Sequence, residues 1–310
     1  MAVAPIRIGT CSWADEALTK HWYPKQVSSA EDRLRYYAER FSTVEVDSTY
    51  YALPDETVVS RWAERAPAGF VMHVKAFGVM TRHPVKVEQL PPDLREGAPL
   101  DRRGRVDRPP REFRAEVFRR FHRALEPLRE TGKLGGILLQ FPSYVVYKDL
   151  SVDYLRWAVE QLDGDRPLVE FRHRSWLDEE NRAATLALLE ELGASNVVVD
   201  APRTDAKNLI PTVVAATSPL AYVRFHGRNA GTWNARGGSA SDRFDYSYSE
   251  DELREWVEPL GELGKKADEV YVLFNNNRWN RTPKGELVAQ APANAQALQG
   301  ILDVSGVPTT

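Results

Sequence analysis

The chain has 310 residues, 43% of them hydrophobic and 27% charged, which is the make-up of an ordinary globular protein and excludes a disordered or fibrous one. Its 41 Lys and Arg against 44 Asp and Glu leave a net charge of −3, so no whole-molecule field draws it to nucleic acid or to an anionic membrane. A single cysteine, Cys11, rules out an intrachain disulfide and fits a reducing, cytoplasmic setting; the opening MAVAPIRIG has no apolar signal segment, and no apolar run approaches the ~20 residues that cross a bilayer.

Along the chain, short β-branched runs alternate with longer amphipathic stretches. Strands are expected at 6–11, 43–47, 70–76, 136–141, 168–172, 196–200, 221–226 and 270–275. Helix starts are marked by Ser28 with Glu31, Asp55 after Pro54, Ser175 with Asp178 and Ser249 with Glu252, residues able to accept hydrogen bonds from the free amides of a first turn. Eight such alternations predict parallel βα units closed into a (β/α)8 TIM barrel, one α/β domain over residues 1–310. A doubly wound open sheet is the second reading, but GTCSW after the first strand is not the Gly-rich phosphate turn such a sheet usually carries. Two connections are too long to be simple loops: an Arg- and Pro-rich insertion at about 81–112 after the third strand, and the segment 227–248 after the seventh. Both would lie on the C-terminal face of the barrel, where long loops tend to be functional.

Side chains alternate across a strand, so one set faces the helices and the other the barrel axis. From the second strand to the eighth, one parity is apolar and the other turns polar towards the strand's end: Val44 and Val46 against Glu45 and Asp47, for example, or Val223 and Phe225 against Tyr222, Arg224 and His226. The sixth strand is read likewise, with Val197 and Val199 outward and Val198 and Asp200 inward. The resulting mouth is lined by Glu45, Asp47, Lys75, Gln140, Glu170, Arg172, Asp200, Arg224, His226 and Asn275. Unpaired charges there cost several kcal/mol each on burial, so these groups pair, meet water or hold a ligand. Glu170 with Arg172 and Asp47 with Lys75 are candidates for purely structural pairs.

All of these residues but Asp200 fall within blocks that resemble the DUF72 (YecE-like) family nearly end to end. The blocks are GTCSW with WYP, VEVDSTYYALP, VKA, LQFP, VEFRHRSW, YVRFHGR, FDYSYSEDEL and FNNN. The resemblance implies a (β/α)8 fold and a site at the strand ends without implying a reaction, and Tyr50 and Asn276 join the candidate ligand-binding residues. Asp47 is a departure, the family more often having asparagine there; the insertion also looks longer than the family's.

The first functional reading is an enzyme with hydrolase-like acid–base chemistry on a small anionic, phosphate-bearing ligand or on nucleic acid. Glu45, Glu170 or His226 would exchange protons, and Lys75 with Arg224 would stabilise developing negative charge. Nine arginines from Arg102 to Arg123 face only Asp107, Glu112 and Glu116, and Arg228, Arg236 and Arg243 lie in the other long loop around Trp233. Such guanidinium groups suit phosphate, and nucleic acid would be held through the insertion; from Arg111 to Arg123 they could equally be the solvated face of a helix. A likeness to metal-dependent barrel endonucleases is analogy only.

No cofactor is required by the sequence. A divalent metal, if bound, would take Glu45, Glu170, Asp200 and His226, but no H-x-H or H-E-x-x-H spacing supports one. His73 reads as core, and His21, His83 and His122 as surface. The second reading is a carbohydrate-active enzyme using the pair Glu45 and Glu170, with Trp13, Trp176 and Trp233 as sugar platforms. The third is a non-catalytic module binding nucleic acid or a protein through the insertion. Cys11, near the mouth but without a histidine partner, reads as a small buried residue rather than a nucleophile.

Overall fold

A computed structural model describes residues 3–233, 243–282 and 284–310. Eight parallel strands form one sheet: β1 Ile6–Thr10, β2 Thr43–Val46, β3 Val71–Lys75, β4 Leu134–Gln140, β5 Pro167–Glu170, β6 Ser195–Asp200, β7 Leu220–Phe225 and β8 Glu269–Phe274. Their order is β1-β8-β7-β6-β5-β4-β3-β2, the curl of an α/β barrel with both faces covered. The outer helices are α1 Ala30–Ala38, α2 Glu56–Arg65, α3 Arg111–Ala124, α4 Asp149–Glu160, α5 Arg182–Glu191, α6 Val257–Lys266 and α7 Gln290–Val304. Each buries its apolar stripe against the strands, as with Val117, Phe118 and Phe121 of α3. Among the described residues no helix is long and apolar enough to cross a membrane.

The sheet closes without a β1–β2 ladder, and Tyr37 of α1 fills the seam. Its buried hydroxyl accepts from the Thr10 amide at 2.8 Å and donates to the Thr43 carbonyl at 3.2 Å. Gly9 makes the approach possible, since a Cβ there would stand 2.1 Å from the Thr43 carbonyl oxygen. Tyr37→Phe would strand both backbone groups, so a loss of about 1–3 kcal/mol is expected in urea unfolding. A loss under about 0.5 kcal/mol, the size of a neutral surface change, would show that the hydroxyl does not close the seam.

Three local expectations change. The first cap is Ser29, whose hydroxyl accepts from the Asp32 amide, not Ser28. Ser175 sits instead in the turn Arg174–Trp176 and accepts from the Tyr147 amide, while α5 starts later, after Asn181. Asp55 and the Ser249–Glu252 capping box are as expected. The connection from β6 to β7 holds no helix: residues 201–219 run back beside β6, with Thr212 donating to the Val199 carbonyl and Asn196 to that of Val213. Pro202, Pro211 and Pro219 withhold the amides a helix there would need. The insertion after β3 folds into turns and a two-residue hairpin, Val85–Lys86 with Arg105–Val106, before entering α3.

Candidate functional site

Lateral partners in a parallel sheet point the same way, so the register tests the parity reading directly. Glu45 lies level with His73, Lys75 with Leu138, Gln140 with Glu170, and Arg224 with Leu273, all facing the axis. In β6 the reading is wrong. Val197 pairs with Tyr222 and Val199 with Arg224, whereas Asp200 pairs with Phe225. The valines therefore face the axis and Asp200 faces outward. With valine at three successive positions, alternation carries no signal there.

Arg224 organises the interior. It is fully buried, and one terminal nitrogen donates to Glu45 Oε1 at 2.6 Å while the other donates to Glu170 Oε2 at 2.5 Å. Glu45 also accepts from the Tyr222 hydroxyl at 2.9 Å. Glu170 takes three further partners on Oε1: Arg172 Nε at 2.6 Å, Gln140 Nε2 at 2.9 Å and His226 Nε2 at 3.1 Å. Burial alone would raise the Glu170 carboxyl, but Arg172, Arg224 and His226 hold it well below the usual carboxylate range. Burial, with Arg172 beside it, lowers the His226 imidazole to about 3 and keeps it neutral. Its Nδ1 lies 2.9 Å from the Asn275 amide, which assigns the ring proton to Nε2 and so to Glu170. Below this network His73 packs edge-on to Tyr222 and Tyr271. It is core, as expected.

The carboxyls of Glu45 and Asp47 behave oppositely. Burial and the neighbouring Asp47 charge, outweighing Arg224, raise Glu45 to about 7. Despite burial, Asp47 is held below its ordinary value by Lys75, whose Nζ is 3.2 Å away, and by Arg224. Two close carboxyls pushed apart in this way can share one proton. Glu45 thus keeps in the folded chain a proton that the unfolded chain releases near 4.5, and its contribution to stability declines as pH rises from about 4.5 to 7. Glu170, lowered on folding, works the other way: its contribution is complete above its ordinary range and is lost as pH falls below it. Glu45→Gln, which mimics the protonated form, should flatten the decline between pH 5 and 7, roughly the window between the two Glu45 values. An unchanged pH slope in urea midpoints would show that Glu45 does not hold this proton.

Above these groups opens a cavity of about 670 Å³, within the size range of small-molecule sites. Of the candidate residues it is lined by Asp47, Tyr50, Lys75, Gln140, Arg172, Trp233 and Asn275. Lys75 Nζ stands 4.9 Å from the Tyr50 ring centre and the Arg172 guanidinium 5.6 Å from that of Trp233. Arg243, Arg278, Asp15, Phe244 and Trp279 also line the cavity. Of these Asp15, Arg278 and Trp279 carried no signal in the sequence: Asp15 caps a six-residue helix, Arg278 lies in a connection, and Trp279 opens a three-residue strand too short to show a period. Burial raises Asp15 to about 6. His83, expected at the surface, instead lines the cavity edge-on to Tyr50, and burial lowers it to about 3.

The other candidates lie elsewhere. Glu45, Glu170, Arg224 and His226 have no exposed surface and sit beneath the cavity. Trp176 is buried, stacked on Phe171 at 4.1 Å and donating to the Val145 carbonyl, so it offers no sugar platform. Trp13 packs edge-on against Trp62 in the core. Asn276 donates to the Tyr246 carbonyl and to Asn294. Arg228 does not face a ligand either: it grips Asp200 at 3.0 Å and Glu255 at 3.0 Å. The metal set Glu45, Glu170, Asp200 and His226 does not converge, because Asp200 is on the far face of its strand. The one group of metal-ligating type among the described residues is Cys11, Glu45 and Asp47, within 4.8 Å of one another. Arg224, 3.5 Å from the Cys11 sulfur, and Lys75 already supply positive charge there. Arg236 lies outside the described residues.

A family model described as a protein of unknown function, DUF72, matches residues 7–309. The UPF0759 protein YunF of Bacillus subtilis (strain 168) is 33% identical over 277 residues, 88% of this chain and 89% of that protein. Among solved structures, a DUF72 family protein of Thermotoga maritima is 30% identical with a TM-score of 0.73, over 96% of this chain and 99% of its own. One from Enterococcus faecalis is 26% identical with a TM-score of 0.75, over 96% and 95%.

Proposed function

This chain belongs to the DUF72 family, and from its site we propose that it is an enzyme using acid–base chemistry, of hydrolase type, on a small phosphate-bearing ligand at the barrel mouth. One observation carries the reading: the Asp47–Lys75 pair on the cavity surface, set against the Glu45 carboxyl raised to about 7. A group that titrates near neutrality is suited to both giving and taking a proton. Glu45 would exchange that proton with water or ligand through Asp47, which lines the cavity. Lys75 and Arg172 would hold the phosphoryl oxygens and balance charge that develops on them. The rings of Tyr50, Trp233 and Phe244 would flank the organic part of the ligand. Glu170 is the scaffold, since four donors already share its two oxygens.

The carbohydrate reading loses its carboxylate pair, because the buried Glu170 has both oxygens taken by Arg224, Arg172, Gln140 and His226 and is left with no role towards a ligand. A panel of sugar phosphates and nucleoside monophosphates, run beside the matching neutral compounds in calorimetric titrations, tests the proposal. Phosphate-bearing compounds should bind and weaken with added salt, and Lys75→Met should weaken them about tenfold or more, the worth of a charge-assisted contact. Tight binding of neutral sugars, unaffected by salt or by Lys75→Met, would defeat it.

A further inference from the structure

The insertion after β3 encloses a second cavity of about 720 Å³. His83 lines both this cavity and the mouth. Its charged residues are Arg82, Arg105, Arg108, Arg114 and Lys148 against Asp101 and Asp107. The carboxylate of Asp101 is taken by Arg105, through two hydrogen bonds of 2.9 and 2.7 Å. Among the described residues the Asp107 carboxylate pairs only with Arg108, at 3.9 Å. Nearby arginines outside the cavity are likewise satisfied: Arg119 and Arg120 share Glu116, and Arg120 also grips Asp93.

Arg82 and Arg114 are different. Their guanidinium groups converge on one ring, 5.2 and 5.3 Å from the centre of Tyr154, and neither forms an ion pair among the described residues. Arg114 Nε is buried without a hydrogen-bond partner. Burial, with the charges of Arg82 and Arg111, lowers the proton affinity of Arg114. Two like charges held together in a cavity are unfavourable unless an anion offsets them. Arg82 ends the turn Gly78–Thr81 as its left-handed cap at φ 68°, which holds its backbone in place at the cavity wall. Its carbonyl accepts from the Tyr144 hydroxyl at 2.5 Å, which fixes that conformation.

We propose that the insertion cavity is a second anion site, in which Arg82 and Arg114 clamp a phosphoryl group between them. Paired guanidinium forks suit the several oxygens of that group. Arg108 and Lys148, more exposed, stand at its rim. The proposal does not rest on the chemistry assigned to the mouth.

Calorimetric titration of inorganic phosphate into the full chain separates the two sites. The double variant Arg82→Gln, Arg114→Gln should lose one class of binding, with affinity there falling roughly tenfold or more, while Lys75→Met leaves that class intact. A second measurement keeps the wild-type fold: phosphate should slow phenylglyoxal modification of Arg82 and Arg114, read by peptide mass, and leave the surface residue Arg203 unaffected. A double variant that melts as the wild type does and binds phosphate identically would overturn the proposal. So would equal modification of Arg82 and Arg114 with and without phosphate. Loss of all phosphate binding in Lys75→Met would overturn it too, since it would leave the mouth as the phosphate site.

Discussion

Replacing Arg224 with methionine is expected to lower unfolding free energy by roughly 3–5 kcal/mol, because it leaves two buried carboxylates without their shared cation. The effect is large for a reason visible in the geometry. Glu45 and Glu170 come from different strands, have no exposed surface, and each accepts a short hydrogen bond from Arg224. Neither can turn to water without breaking the other bonds it makes. The sign with pH is also set. Once Arg224 is gone, protonating the carboxyls relieves the cost, so the deficit should shrink as pH falls towards 5. Adding Glu45→Gln and Glu170→Gln should recover part of the loss at neutral pH. A methionine variant within about 1 kcal/mol of wild type, the central tendency for point substitutions, would mean that water reaches these groups and that the cluster is not a sealed scaffold.

Glu45→Gln is expected to reduce turnover about 10²–10⁴-fold, the usual contribution of a positioned proton-transfer group, with little change in ligand affinity. Glutamine keeps the shape and can still meet Tyr222 and Arg224, so folding should survive and the loss should fall on kcat rather than KM. Asp47→Asn asks a different question. The Asp47 charge is one of the causes that raise Glu45, so its removal should move the governing limb of the pH profile downward while activity persists. Should Glu45→Gln retain full turnover of a substrate that wild type converts, proton transfer would have to be assigned elsewhere, with Asp15 next in line because it is raised to about 6 at the cavity wall.

Much of the site was legible as direction and little of it as distance. Alternation along β2, β3, β5 and β7 put Glu45, Asp47, Lys75, Glu170, Arg172, Arg224 and His226 towards the axis; the register agrees for Glu45, Lys75, Glu170 and Arg224, and close ion pairs set Asp47, Arg172 and His226 beside them. It could not rank them by depth. Glu45 and Asp47 are two residues apart on one face, yet one is sealed and the other lines the cavity. Trp176 and Trp13 read as platforms because loop tryptophans often stack on ligands. Both were drawn into the core by rings distant in sequence. The valine run of β6 is the clearest failure, since apolar residues on both faces leave the orientation to the neighbouring strands.

Eight strands, their parallel arrangement in a barrel and the polarity of the axis-facing positions towards the strand ends can be read along the chain, although the helix expected after β6 is absent. Those are local properties, written in the period of hydrophobicity and in capping residues. Which charges neutralise one another is settled by the folding of the barrel. Arg224 meets Glu45 across 179 positions and Glu170 across 54, and no periodicity encodes which strands come to face each other across a barrel. Pairing of charges depends on that meeting to within an ångström, so the polar ring at the strand ends divides into a sealed scaffold and an open cavity only once the chain is folded.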